Sequence, residues 1–193
     1  MKPKSNRKPG PYDNCQTPWY AIEPLVPFLN DAGYNTIWEP ACGEGNIVTA
    51  LALRDFEVIA TDIKFDHMFK ERWADSGKTY NFFEYETEIE YDAIVTNPPY
   101  SIKYPWLERC YDLGKPFALL LPVETMGAKT AQLLFKAHGV QVIWYYPRVD
   151  FKMPDKGWTG KGAQFPTAWF TWQLNLPTDN VFTKLAKVKM KDE

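Results

Sequence analysis

Asn97-Pro98-Pro99-Tyr100 puts a carboxamide, two backbone-locking rings and a phenol into four consecutive residues. The carboxamide both donates and accepts hydrogen bonds, and the tyrosine supplies an aromatic ring beside it. The run before it, Tyr91-Asp92-Ala93-Ile94-Val95-Thr96, reads as a buried strand. Prolines at a strand's C-terminal end donate no ladder hydrogen bond and fix φ at about −65°, so the chain must leave the sheet in a stiff turn. A stiff turn between an amide and an aromatic ring makes a small preorganised pocket. Asn-Pro and Pro-Pro are also ordinary turn punctuation, so the tetrapeptide alone does not separate a reaction centre from a structural corner.

A segment upstream weighs toward chemistry. Glu39-Pro40-Ala41-Cys42-Gly43-Glu44-Gly45-Asn46 joins a candidate strand to a candidate helix, and Asp62 follows seventeen residues after Gly45 at the end of the next strand. Gly43 and Gly45 permit a tight turn in which the backbone can approach a ligand. Two glycines fall short of a full dinucleotide fingerprint, and no P-loop Lys-Ser/Thr pair is present, which favours a cofactor without a pyrophosphate. An acid at the position of Asp62 can accept hydrogen bonds from ribose hydroxyls. In this order, the two features describe a nucleoside-binding crevice at the carboxyl ends of parallel strands.

The elements that must position these residues alternate along the chain. Thr36–Pro40, Phe56–Asp62, Thr79–Phe83, Tyr91–Asn97, Phe117–Pro122 and Val140–Pro147 are short runs rich in β-branched and aromatic residues, separated by segments with helical spacing. This is an α/β pattern with a mostly parallel sheet. Ile47 to Leu53 gives one helix an apolar face, Ser101 caps another that ends near Gly114, and Thr125 to His138 makes a third closed by Gly139. Pro24 and Pro27 keep any helix over Trp19–Leu29 short or kinked. A seventh strand, Thr167–Leu174, follows the sixth with no room for a crossover helix, so it should pair antiparallel with it.

At 193 residues, 45% hydrophobic and 16% aromatic, the chain suits one well-buried core. The expected layout is a flexible basic arm over 1–12, one domain over 13–177 and a flexible tail over 178–193, whose lysines (Lys184, Lys187, Lys189, Lys191) read as solvated. No run is long and apolar enough to span a bilayer, and the N-terminus lacks a signal peptide's apolar segment, so a soluble cytoplasmic protein is expected. Cys15, Cys42 and Cys110 are odd in number and unpaired in spacing, which suggests neither a disulfide framework nor a metal site. The net charge of −2 argues against gripping nucleic acid through bulk electrostatics. Phosphate contacts could still concentrate on the arm (Lys2, Lys4, Arg7, Lys8) and on the loop carrying Lys152, Lys156, Trp158 and Lys161. Trp106, Trp144, Trp169 and Trp172 read mainly as core.

From about Asp13 to Leu174 these residues resemble the S-adenosylmethionine-dependent amino-methyltransferases, most strongly the gamma-type DNA adenine-N6 enzymes, in a small phage-like or orphan form without a separate target-recognition domain. The family's catalytic motif is matched letter for letter by Asn97-Pro98-Pro99-Tyr100, and its N-terminal Thr-Pro motif resembles Gln16-Thr17-Pro18. The resemblance implies a single Rossmann-like domain with a seven-stranded, mostly parallel sheet, an antiparallel last strand and helices on both faces. It implies S-adenosyl-L-methionine held by Thr17, Pro18, Glu39, Pro40, Ala41, Gly43, Gly45, Asp62, Asn81, Phe82 and Asn97. Asn81-Phe82 stands where the family usually carries Asp-Phe. Catalysis falls to Asn97, Pro98, Pro99 and Tyr100, substrate contacts to Tyr100, Lys152 and Trp158, and no metal is implied.

The implied partner is nucleic acid, DNA ahead of RNA, in a bacterial or phage-infected cell, with a homodimer or a specificity subunit supplying target recognition. RNA adenine or guanine amino-methylation is the main alternative. A protein glutamine methyltransferase and a non-catalytic methyltransferase-like subunit stand behind it.

Overall fold

Side-chain alternation along the strands divides the interior into two layers. The computed structural model describes residues 10, 13–64, 79–85, 88–153, 157–158 and 165–186. Its strands are β1 (Thr36–Glu39), β2 (Glu57–Ala60), β3 (Ala93–Thr96), β4 (Phe117–Pro122), β5 (Gln141–Tyr146), β6 (Lys152–Met153), β7 (Gly157–Trp158), β8 (Thr167–Trp172) and β9 (Asn180–Lys184). Ile37, Val95, Ala118, Leu120, Ile143 and Trp169 face one layer, whereas Trp38, Ile94, Phe117, Leu119, Val142 and Phe170 face the other. Because consecutive strand residues point to opposite sides, a strand apolar throughout must be covered twice.

Helices supply both covers. Leu29 of α1 (Val26–Asp31) and Ile47, Ala50 and Leu51 of α2 (Asn46–Ala52) pack on the first face, with the 3-10 turn Trp19–Ile22. Trp106, Leu107, Cys110 and Tyr111 of α3 (Lys103–Leu113) and Ala131 and Phe135 of α4 (Lys129–His138) pack on the second. Trp169 joins the β8 strand to the Trp19–Ile22 turn, its ring fully buried and its Nε1–H donating to the Ala21 carbonyl at 2.8 Å.

The main sheet has seven strands in the order β2-β1-β3-β4-β8-β5-β9. All neighbours are parallel except that β8 runs antiparallel to both β4 and β5. The architecture is therefore Rossmann-like, a mostly parallel α/β sheet with helices on both faces, and β8 pairs with β5 in the expected antiparallel sense. From β1 the chain winds through α2 to β2 on one side, whereas β3 lies on the other. The carboxyl ends of β1 and β3 thus form the switch point at which open α/β sheets bind ligands.

Several elements differ from the sequence reading. Thr79–Phe83 is not a strand: the Asn81 Oδ1 accepts the Phe83 N–H at 3.2 Å, and the N–H groups of Glu84 and Tyr85 fold back onto the Asn81 carbonyl at 2.9 Å each. Such a side-chain-capped turn competes with a sheet ladder. The sheet still has seven strands because β9, inside the range expected to be a tail, joins it, so β8, within the expected Thr167–Leu174, is not the last strand. β9 pairs in parallel with β5, the Leu185 N–H donates to the Tyr146 carbonyl at 2.7 Å, and Leu185 is buried. Ser101 lies in a 3-10 turn, Tyr100–Ile102, rather than capping α3, and α4 begins at Lys129 after a 3-10 turn over Val123–Gly127. The arm over 1–9 and 11–12, together with Lys156 and Lys161, lies outside the described residues. Among the described residues no helix is long and apolar enough to cross a membrane.

Candidate active site

The glycine turn, Asp62 and the Asn97 turn all leave the sheet at the switch-point edge. Beyond the ends of β1 and β2 the two chains keep bonding, Thr61 N–H to the Glu39 carbonyl (3.0 Å) and Cys42 N–H to the Thr61 carbonyl (3.1 Å). That extension brings Asp62 against the glycine turn. Its Oδ2 accepts the Gly43 N–H at 2.9 Å and its Oδ1 the Lys64 N–H at 2.7 Å. Each carboxylate oxygen has a second acceptor site, so the pair of bonds fixes Asp62 without exhausting it. Gly43 and Gly45 both have positive φ, +49° and +77°, the backbone that glycine adopts without strain. Pro40 and Gly45 are buried, and Ala41 is half-buried.

Glu39, the last residue of β1, is 1% exposed, and its Oε2 has no hydrogen-bond partner. Burial, helped by the nearby Asp62 charge, pushes its carboxyl well above the ordinary range. Asp62 is also raised, chiefly by burial, against the lowering pull of its bonds to the Lys64 and Gly43 N–H groups. Burial holds back the ionisation of both acids, and a cation seated beside them would favour their charged forms.

Asn97 follows β3 directly. Its Nδ2 donates to the Thr17 Oγ1 at 2.9 Å, and Thr17 is itself 5% exposed. With Nδ2 held, the Asn97 Oδ1 is buried and has no partner. Pro98 and Pro18 are buried and Pro99 half-buried. The turn's own backbone bond runs from the Ile102 N–H to the Pro99 carbonyl at 3.2 Å, which leaves the Pro98 carbonyl outside it. Tyr100 is 8% exposed, meets Phe165 edge-on at 5.6 Å between ring centres, and has an unpartnered hydroxyl. Burial, reinforced by Tyr145 and Cys15, raises that phenol well above its ordinary range.

Three residues expected to touch ligands have structural occupations here. Asn81 caps the turn described above, and Phe82 stacks on Trp106 at 4.0 Å and 14° inside the core. Lys152 sends its Nζ to the Glu44 carboxylate at 3.1 Å and pairs with Trp158 across the β6–β7 hairpin. Both hairpin residues are half-buried.

Two residues were given no role by the sequence reading. Gln16 accepts the Glu44 N–H through its Oε1 at 3.0 Å and exchanges both backbone bonds with Lys152 at 3.0 Å each. Its position before Thr17-Pro18 was the available signal. Asp13 grips the residue after the Asn97 turn, its Oδ1 accepting the Ser101 N–H at 2.9 Å and its Oδ2 the Ser101 hydroxyl at 2.6 Å. Nothing in the sequence pairs residues 13 and 101. Cys15, Cys42 and Cys110 are free and buried, with burial raising all three thiols, Cys15 to about 11, so none is a ready thiolate nucleophile at neutral pH. A groove of about 560 Å³ lies beside α4, and its lining, which includes Met126, Leu133, Phe135 and Val140, shares no residue with these loops.

No family model and no curated protein matches the chain. Among solved structures, similar ones include a SAM-dependent methyltransferase from Archaeoglobus fulgidus, 13% identical, covering 67% of this chain and 72% of that one with a TM-score of 0.47. The methyltransferase domain of bacterial CtHen1-CN is 14% identical over 79% of this chain and 96% of its own, with a TM-score of 0.46. A predicted O-methyltransferase from Agrobacterium tumefaciens is 12% identical over 78% and 77%, with a TM-score of 0.40. All three scores fall below one half, so none bears on what this chain acts on; the architecture rests on its own strand order.

Proposed function

We propose that this chain transfers a methyl group from S-adenosyl-L-methionine to the N6 amino group of adenine in DNA. The observation that carries the reading is Asn97, whose Nδ2 is fixed by Thr17 while its buried Oδ1 lacks a donor at the switch-point edge. A buried acceptor left unpaired costs about 1–3 kcal/mol, and an amine seated there would remove that cost. Adenine's exocyclic nitrogen has its lone pair drawn into the ring. Acceptors on its two N–H bonds, the Asn97 Oδ1 and the Pro98 carbonyl, favour a more tetrahedral nitrogen whose lone pair is free to attack.

The other residues fit the nucleoside. Asp62 keeps acceptor capacity for ribose hydroxyls, and Gly43 and Gly45 let the backbone come close. The cofactor supplies an electrophilic methyl on a sulfonium. As the adenine nitrogen bonds to the methyl carbon the carbon–sulfur bond breaks, S-adenosylhomocysteine leaves as a neutral thioether and the nitrogen gives up one proton to solvent. Such an in-line displacement depends on positioning and electrostatics and needs no covalent protein intermediate. The Tyr100 ring walls the base pocket, with Lys152 and Trp158 on the flanking hairpin. In duplex DNA the base must be turned out of the stack before its amino group can reach Asn97. Target recognition falls to the loops, a second copy or a specificity subunit.

The test is transfer of tritiated methyl from the cofactor to DNA, RNA and protein in parallel, with nucleoside analysis of the product. Label in N6-methyladenine from DNA is expected. Label only in RNA, or only in a glutamine side chain, would overturn the substrate assignment.

A further inference from the structure

Gln16 and Thr17 are consecutive residues whose side chains grip two different loops. Thr17 Oγ1 holds the Asn97 amide at 2.9 Å, and Gln16 Oε1 holds the Glu44 N–H of the glycine turn at 3.0 Å. The carboxamide lies directly on that turn, since a Cβ placed on Gly43 would stand 2.7 Å from the Gln16 Oε1. Gln16 is fixed from behind as well. Its N–H donates to the Lys152 carbonyl and its carbonyl accepts the Lys152 N–H, both at 3.0 Å, while the Lys152 ammonium meets the Glu44 carboxylate at 3.1 Å.

We propose that Gln16 is a positioning residue that sets the separation between the glycine turn and the Asn97 turn, and so governs methyl transfer beyond its effect on cofactor affinity. The proposal rests on the methyl-transfer reading of the site. The two turns leave different strands, β1 and β3, and the clamp from Asp62 reaches only the first of them. Adjacent Cα atoms are held about 3.8 Å apart by the peptide bond, so a dipeptide with both side chains tied makes the two turns one body. In-line displacement needs the reacting atoms about 3–3.5 Å apart and aligned, and an error of about 1 Å can cost a hundredfold in rate. Removing the Gln16 acceptor frees the glycine turn to drift relative to Asn97 while the Asp62 clamp still shapes it for binding.

The experiment compares wild type with Gln16→Met, which keeps length and packing but has no acceptor, and Gln16→Glu, which keeps one. Single-turnover transfer to adenine-containing DNA is measured at saturating cofactor and DNA, alongside calorimetric affinity for S-adenosylhomocysteine. The Asn97 side-chain amide signal, assigned by its loss in Asn97→Ala, is followed by NMR in the ligand-free proteins. Gln16→Met is expected to lower the saturated rate about tenfold or more and to shift the Asn97 signal, while affinity falls only about threefold. Gln16→Glu is expected to recover most of the rate. A saturated rate within twofold of wild type, an unmoved Asn97 signal, or a glutamate variant no better than the methionine one would overturn the proposal. Wild type that binds S-adenosylhomocysteine but transfers no methyl would instead refute the proposed function.

Discussion

Gly43→Ala separates what the glycine turn contributes from what surrounds it. Gly43 sits at φ +49°, where an L-residue is disfavoured by roughly 1–2 kcal/mol. The new Cβ would also stand 2.7 Å from the Gln16 Oε1 and 3.2 Å from its Nε2. These atoms end a flexible side chain, so the carboxamide swings aside and gives up its bond to the Glu44 N–H, a further loss of about 1 kcal/mol. Together the two effects amount to about 2–3 kcal/mol, divided between folded stability and cofactor affinity according to how far the turn relaxes. Urea denaturation and calorimetric titration with S-adenosylhomocysteine measure the two parts. In a Gln16→Ala background the hydrogen-bond part is already gone, so the same substitution should cost about 1 kcal/mol less. A combined loss under about 0.5 kcal/mol, or no difference between the two backgrounds, would refute the geometry assigned to the turn.

Asp62→Ala removes the acceptor for the Gly43 and Lys64 N–H groups and should weaken S-adenosylhomocysteine binding about tenfold or more; an unchanged dissociation constant rejects the ribose and turn-holding roles. Glu39 binds its proton more tightly folded than unfolded, so its contribution to stability falls as pH rises from about 4.5 through the folded value. Glu39→Gln should therefore raise the urea midpoint at pH 8 and leave it nearly unchanged at pH 4, and an equal shift at both would contradict the buried neutral carboxyl. Leu185→Ala should lower unfolding free energy by about 2–4 kcal/mol if the β9 end belongs to the core, and a loss below about 0.5 kcal/mol would return it to a tail.

What was legible in the sequence was what repeats or clusters locally. The apolar runs over β1, β3 and β4 announce strands covered on both faces, and the glycine- and lysine-rich link between β5 and β8, which lacks helical spacing, points to their antiparallel pairing. Thr79–Phe83 misled because its aromatic content suits a strand, whereas the Asn81 side chain closes a turn and Phe82 finds its burial against Trp106. In β9 the neighbouring lysines masked Val181 and Leu185, which face the core four residues apart while Phe182 stays exposed. The Asn97 and glycine turns were readable because proline and glycine mark backbone geometry directly. Gln16, Asp13 and the Lys152–Glu44 pair were not, since each acts through a contact between distant segments that leaves no local period.

Asn97→Ala tests the central claim most directly. Wild type and variant are incubated with S-adenosylmethionine and adenine-containing DNA, N6-methyladenine is quantified by mass spectrometry, and S-adenosylhomocysteine binding is measured on the same preparations. The variant is expected to form no detectable N6-methyladenine while binding S-adenosylhomocysteine within about threefold of wild type, because the lost Oδ1 serves the amine rather than the nucleoside. Methylation by Asn97→Ala at the wild-type rate would contradict the account.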